Sequence, residues 1–255
     1  MAERSKTRRL AVLIDADNTS VRYAAAIFDE IASLGEANVR RIYGDFSGAR
    51  LGGWDSAVQS LAILQHQQRS NTAGKNAADI ALVIDAMDLL YKGTLDGFCL
   101  VSSDSDFTRL TQRLREDGLA VYGFGERKTP EAFRNACTRF IYVENLIEPA
   151  EPLSVPGQLS GAIATDRERK KEPASKATPI IRKAMAGLED DEGWATLARV
   201  GSRIANVAPD FDPRSYGHTK LSALAESTGD FEVKRSGDKH IMIRPKRTSK
   251  KPKTK

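Results

Sequence analysis

Apolar residues in this chain fall into short unbroken runs that stop at acidic or small polar residues. Between the runs they recur every three or four positions. The first run, Leu10-Ala-Val-Leu-Ile14, ends in Asp15-Ala-Asp17-Asn18-Thr19. A continuous apolar run of strand length predicts a strand buried on both faces, hence a central parallel strand. The same grammar returns at Gly97-Phe-Cys-Leu-Val101, which stops at Ser102-Ser-Asp104-Ser-Asp106. Helical spacing after Asn18 to Ser20 joins Ala24, Ile27, Phe28, Ile31 and Leu34, and a short strand is predicted over 39–43. Residues 44–53 form a glycine-rich loop without the Gly-Lys-Ser/Thr ending of a phosphate-binding loop. A helix is expected over 54–64 and a weaker strand over about 65–70. The next helix, 77–90, is given Ile80, Val83, Ile84 and Met87 as its buried face. A helix over 107–117, a strand over 120–122 with a Gly123-Phe-Gly125 turn, a helix over 130–136 and a strand over 140–143 complete the series. Alternation of this kind predicts a doubly wound parallel α/β sheet with right-handed crossovers over residues 8–147.

The pattern changes near residue 149 to Pro, Ser, Gly and the charged run Asp166-Arg-Glu-Arg-Lys-Lys-Glu172, which reads as a linker over 148–175. Helical periodicity resumes over 179–188, 194–207 and 215–225, followed by a hairpin over 231–243 turning at Ser236-Gly237. Three helices and a two-stranded wing predict a small winged-helix-like α+β domain over 176–245. The tail, 246–255, holds no acid and is expected to be a disordered polyanion-seeking end.

Composition narrows the partners. With 40% hydrophobic and 29% charged residues the chain is globular, and no apolar run approaches the roughly 20 residues that span a bilayer. Residues 1–150 hold 18 Lys+Arg against 20 Asp+Glu, which leaves 21 against 14 for the remainder. A mildly acidic unit joined to a basic one suits a catalytic domain coupled to a polyanion-binding one. Cys99 and Cys137 lack metal-ligand spacing and read as reduced thiols; the first apolar stretch, Leu10 to Ile14, is too short for a signal-peptide core, so the cytoplasm is the expected location.

In an open parallel sheet, ligands bind outside the carboxyl ends of the strands where strand order reverses. Asp15 and Asp104 are both expected there. The helix before the Asp104 strand runs antiparallel to it, which brings Asp79 in its first turn to the same edge. Asp88 is displaced by about 13 Å along the helix axis and is assigned to the surface, and Asp85 is read as pointing away from the buried face. Carboxylates that converge without basic partners repel one another unless a cation lies between them. Oxygen-only ligands favour Mg²⁺ or Mn²⁺, which activates water and offsets charge on a phosphodiester.

Asp15-x-x-Asn18, Lys75-x-x-x-Asp79 and Ser103-Asp104-Ser-Asp106-Phe107 resemble the NYN domain, the LabA-like branch of the PIN-like nuclease superfamily. The resemblance implies a metal-dependent endoribonuclease. In it Asp15, Asp79 and Asp104 hold metal, Asn18 orients the first strand end, Asp106 assists, and metal-activated water leaves 5′-phosphate and 3′-hydroxyl ends. Lys75 is a candidate contact to substrate phosphate. Phe211-Asp-Pro-Arg-Ser-Tyr216-Gly-His-Thr-Lys-Leu221 and the hairpin after it resemble an OST-HTH or LOTUS domain, which implies RNA as a partner and leaves protein partners open.

In the second unit Arg199, Arg203, Arg214, Lys220, Lys234, Arg235 and Lys239 are candidate phosphate contacts, each weighed against a solvated face. Trp54 and Trp194 read as packing residues. Two other functions compete with the nuclease: a nonhydrolytic RNA-binding adaptor, and an aspartyl-nucleophile phosphatase suggested by Asp15-x-Asp17-x-Thr19, with Asp15 as nucleophile and Asp17 as acid/base.

Overall fold

The computed structural model describes residues 7–68, 76–147, 171–236 and 240–246. The chain forms two compact units that divide between Glu148 and Pro149.

The first unit runs β1 (Arg9–Asp15), α1 (Ala24–Leu34), β2 (Glu36–Gly44), α2 (Trp54–Ser60), β3 (Leu64–Gln67), α3 (Ala77–Tyr91), β4 (Gly97–Val101), α4 (Thr108–Glu116), β5 (Ala120–Gly125), α5 (Glu131–Ala136) and β6 (Arg139–Tyr142). The six strands are all parallel, in the order β3-β2-β1-β4-β5-β6. Strand order reverses between β1 and β4, so the two apolar runs that end in aspartates lie side by side at the switch point. Leu10, Val12 and Ile14 pack on one face with Ile27, Ile31 and Trp54, while Ala11 and Leu13 pack on the other with Leu82, Phe98 and Phe133. Burial of β1 on both faces explains its unbroken apolar run.

Four expectations for this unit change. On α3 the buried residues are Ala78, Leu82, Ala86 and Leu89, whereas Ile80 and Ile84 are 60% and 56% exposed. The helix is apolar nearly all round, so two stripes at helical spacing compete and periodicity does not choose between them. Asp85, expected to point outward, instead faces the sheet. It accepts hydrogen bonds from Arg41 Nη1 and Tyr43 Oη, both at 2.7 Å, with His66 Nδ1 at 3.5 Å. The Gly123-Phe-Gly125 segment is the end of β5 rather than a turn. A Cβ on Gly123 would stand 2.6 Å from Cys137 Sγ, and one on Gly125 would stand 2.6 Å from the Ser102 carbonyl oxygen. Glycine serves there for close approach inside a strand. The helix expected to reach residue 64 ends at Ser60, where Ala62 adopts a left-handed φ of 51° and the chain turns into β3.

The second unit runs α6 (Thr178–Met185), β7 (Ala195–Thr196), α7 (Leu197–Val207), α8 (Leu221–Ser227), β8 (Phe231–Ser236) and β9 (His240–Pro245). Its core joins Ile181, Met185, Val200, Ile204, Leu224, Phe231 and Ile243. The wing has three strands, in the order β7-β9-β8, because Ala195 and Thr196 pair with Ile243 and Met242. Two residues are too few for β-periodicity to show in a sequence. The expected helix over 215–225 is split: a 3₁₀ turn spans Pro213–Tyr216, Gly217 takes φ 85°, and α8 starts at Leu221. Order in this unit begins before residue 176, since Glu172 N donates to the Ser215 carbonyl at 2.9 Å and a 3₁₀ turn spans Ala174–Ala177. The expected linker up to residue 170, the hairpin residue Gly237 and the tail from residue 247 lie outside the described residues.

Candidate active site

Asp15 is the last residue of β1 and is 1% exposed. Its Oδ1 accepts from the backbone N–H groups of Asp17 and Asn18 at 3.1 and 3.2 Å. Its Oδ2 accepts from Asn18 Nδ2 at 2.8 Å and from the buried Ser102 hydroxyl at 2.7 Å. Burial raises its proton affinity, while the Ser102 and Asn18 hydrogen bonds lower it. Asn18 therefore orients the Asp15 carboxylate and makes no side-chain cap to the 3₁₀ turn at Val21–Tyr23.

Across the switch point Ser102 does double duty. Its hydroxyl also accepts from Asp104 N at 3.0 Å, which couples the two strand ends. Asp104 caps the 3₁₀ turn Ser105–Phe107, with Oδ1 accepting from Asp106 N at 2.9 Å. Asp106 is exposed, and Asn76 Nδ2 lies 3.5 Å from its Oδ2. That contact places the first turn of α3 at the same edge.

Asp79 sits in this first turn, half-buried. Its carboxyl is pushed up to about 6, by burial first and then by the negative charges of Asp15, Asp104, Asp17 and Asp106. Five carboxylates thus share one edge of the sheet. The basic partner recorded among them is Arg50, which pairs with Asp17. Lys75 lies outside the described residues.

The donor chemistry suits a hard divalent cation, because the convergent groups are carboxylates, and their negative charges add to burial in raising Asp79. Yet among the described residues no three acidic, His or Cys side chains stand close enough to hold an ion. Asp15 spends both oxygens on protein donors, and Asp104 spends one on its cap. Sequence reading missed Ser102 and Arg50. A small hydroxyl residue directly after a buried strand and before an aspartate was the one available signal for Ser102, and nothing local marked Arg50.

In the second unit the candidate cations differ in their surroundings. The Arg214 guanidinium lies against the buried Asp212 carboxylate at 2.7–3.1 Å. Arg203 Nη1 donates to the Ala186 carbonyl at 2.7 Å, and Arg235 stands 3.8 Å from Glu226. Arg199, Lys220 and Lys234 are exposed, and Lys239 lies outside the described residues. Arg199, Ser202, Arg203 and Asn206 of α7 line a surface cavity of about 370 Å³ with Leu188 and Ala198. Trp54 is buried, and Trp194 is half-buried under Arg244, whose guanidinium carbon is 4.5 Å from the ring centroid. Both act in packing.

An open six-stranded parallel sheet, with aspartates at the carboxyl ends of the two switch-point strands, is a PIN-like α/β fold. A small α+β unit follows it. The family model for the NYN domain matches residues 9–146 and the model for the OST-HTH/LOTUS domain matches residues 168–243. The chain belongs to the NYN domain family, a branch of the nuclease superfamily, and carries an OST-HTH/LOTUS domain after it. A crystal structure of a protein of unknown function from Vibrio parahaemolyticus is similar at 17% identity and a TM-score of 0.46, over 54% of this chain and 94% of that one. A solution structure of an uncharacterised protein from Nitrosomonas europaea is similar at 29% identity and a TM-score of 0.26, over 37% of this chain and 92% of that one. Comparison with curated proteins finds no match.

Proposed function

We propose that the chain is a metal-dependent endoribonuclease whose OST-HTH/LOTUS domain retains RNA for a NYN nuclease site. The observation that carries this reading is the convergence of carboxylates at the switch-point edge, where Ser102 links Asp15 to the Asp104 backbone and Asn76, just before the first turn of α3, reaches Asp106; together with burial their charges raise Asp79, and a cation would relieve them. Asp15, Asp79 and Asp104 would hold Mg²⁺ or Mn²⁺, which would supply water activation and charge neutralisation at a phosphodiester.

The chain's own residues prepare the site. Ser102 and Asn18 fix the buried Asp15 carboxylate in one orientation, and Ser102 ties the two strand ends together. Asp106, exposed and near Asn76, would accept a proton from an approaching water or orient it. The expected products carry 5′-phosphate and 3′-hydroxyl ends. RNA contacts are assigned to Arg199, Lys220 and Lys234, and the domain limits to 8–147 and, with the expected start at 176 moved back to Glu172, 172–245. Cys99 and Cys137 are buried free thiols, which fits a reducing cytoplasm. No helix among the described residues is long and apolar enough to cross a membrane.

One observation favours a second reading, a nonhydrolytic RNA-binding adaptor: no three ligating side chains stand together among the described residues. The phosphatase reading has lost its ground, because only Ala16 to Ser20 separate Asp15 from the 3₁₀ turn at Val21–Tyr23, with no flap between them.

Cleavage of end-labelled RNA in Mn²⁺ by wild type and Asp104→Asn separates nuclease from adaptor. Asparagine also caps helical turns, so this variant keeps the turn at Ser105–Phe107. It is expected to lose at least about 100-fold in rate, the order found when one group that stabilises transition-state charge is removed. Equal cleavage by the two proteins would mean a contaminating nuclease and would end the assignment.

A further inference from the structure

The glycine-rich loop after β2 is anchored at both ends and exposes Arg50 near its middle. At its start Asp45 Oδ1 accepts from the Ser47 backbone N–H at 3.1 Å and from Gln67 Nε2 at 2.7 Å, while Phe46 N donates to Gln67 Oε1 at 2.9 Å. At its end Leu51 and Trp54 are buried in the core. Between these anchors a 3₁₀ turn, Ala49–Leu51, carries Arg50 with its side chain 73% exposed.

The partner of Arg50 among the described residues is Asp17. Asp17 follows Asp15 by two residues and its N–H donates to Asp15 Oδ1 at 3.1 Å, so this residue belongs to the acidic edge, and Arg50, paired with it, stands on the rim. A guanidinium has five N–H donors, more than one carboxylate contact uses. An edge lined by carboxylates repels an RNA backbone, and a cation at its mouth reverses that locally. Arginine suits the task because its fork matches a phosphate in bidentate fashion. Exchange of partners is also inexpensive, since an exposed ion pair contributes little stability.

We propose that Arg50 binds the RNA phosphodiester at the mouth of the acidic cleft, exchanging Asp17 for phosphate, and that Asp17 is its resting partner rather than a metal ligand. The loop, whose glycines match no nucleotide-binding motif, is thereby given a purpose: it carries a phosphate-binding arginine over the strand ends. The inference rests on the reading of the first unit as an RNA-processing site.

The test uses the full chain and two readouts. A 4-thiouridine tetranucleotide is photo-crosslinked in EDTA and the crosslinked peptides are mapped, and single-turnover cleavage is followed in Mn²⁺. Arg113→Ala is the matched control, because Arg113 also pairs with an aspartate, Asp117, but at the opposite end of α4. Wild type and Arg113→Ala are expected to crosslink within residues 45–53, and Arg50→Ala to lose at least fivefold of that yield. Arg50→Ala should raise the half-saturating RNA concentration about fivefold, and Asp17→Asn should lower it. No crosslink in the loop, an unchanged yield in Arg50→Ala, or loss of cleavage in Asp17→Asn as complete as in Asp104→Asn would each overturn the proposal. Absent cleavage with the Arg50-dependent crosslink intact would instead sink the nuclease reading and support the phosphate site.

Discussion

At Asp79 a half-buried carboxyl meets four other acids, and its proton affinity rises until it titrates near pH 6. A carboxyl that binds its proton more tightly in the folded chain than in the unfolded one favours folding at low pH. That contribution is lost as pH rises from about 4, its ordinary value, through about 6. In EDTA, Asp79→Asn is therefore expected to melt at a higher temperature than wild type at pH 7 to 8, with the gap closing towards pH 4. A calorimetric pH series checks this, and a gap that persisted at pH 4 would mean that packing rather than charge sets the cost. Asp15 is raised as well, by burial first, while its hydrogen bonds from Ser102 and Asn18 pull in the opposite direction. Of these groups, the placement of Asp15, Asp79 and Asp104 at one sheet edge was legible from the apolar runs and the antiparallel direction of α3, while the role of Asn18 came only from the NYN resemblance. Ser102 and Arg50 were not, since each acts through a residue far away in sequence.

The elements show where periodicity stops being decisive. Helix α3 carries two apolar stripes, and the sequence-based choice fell on Ile80 and Ile84, which stand 60% and 56% exposed. Leu82, 2% exposed, packs against the sheet instead. Leu82→Ala is expected to cost about 2–5 kcal/mol, and Ile84→Ala under about 0.5 kcal/mol, read by urea denaturation. The same helix turns Asp85 towards Arg41 and Tyr43, a pairing with β2 that no local pattern announces. Strand β5 shows the converse. Glycines that read as a turn lie inside the strand, because Cys137, Phe140 and the Ser102 carbonyl leave no room for a side chain. Tertiary contacts from distant residues decided all three cases. The alternation of strands and helices and the parallel sheet needed only local signals and were legible.

Across the whole molecule, charge divides the labour. The first unit concentrates carboxylates at the switch point of its sheet, and residues 151–255 hold the basic excess of 21 Lys+Arg against 14 Asp+Glu. A nuclease of this kind joins two opposed electrostatic demands, one for a cation and one for a polyanion. Arg50 at the rim of the acidic edge answers part of the second demand within the first unit. The account stands or falls on whether the three separated carboxylates close on a single cation. Crystals of the full chain soaked in millimolar Mn²⁺ and measured at the manganese absorption edge address this directly. The account predicts one anomalous peak between Asp15, Asp79 and Asp104, absent from Asp104→Asn crystals. A wild-type site with no peak, its carboxylates still apart, would contradict it and leave the chain an RNA-binding adaptor.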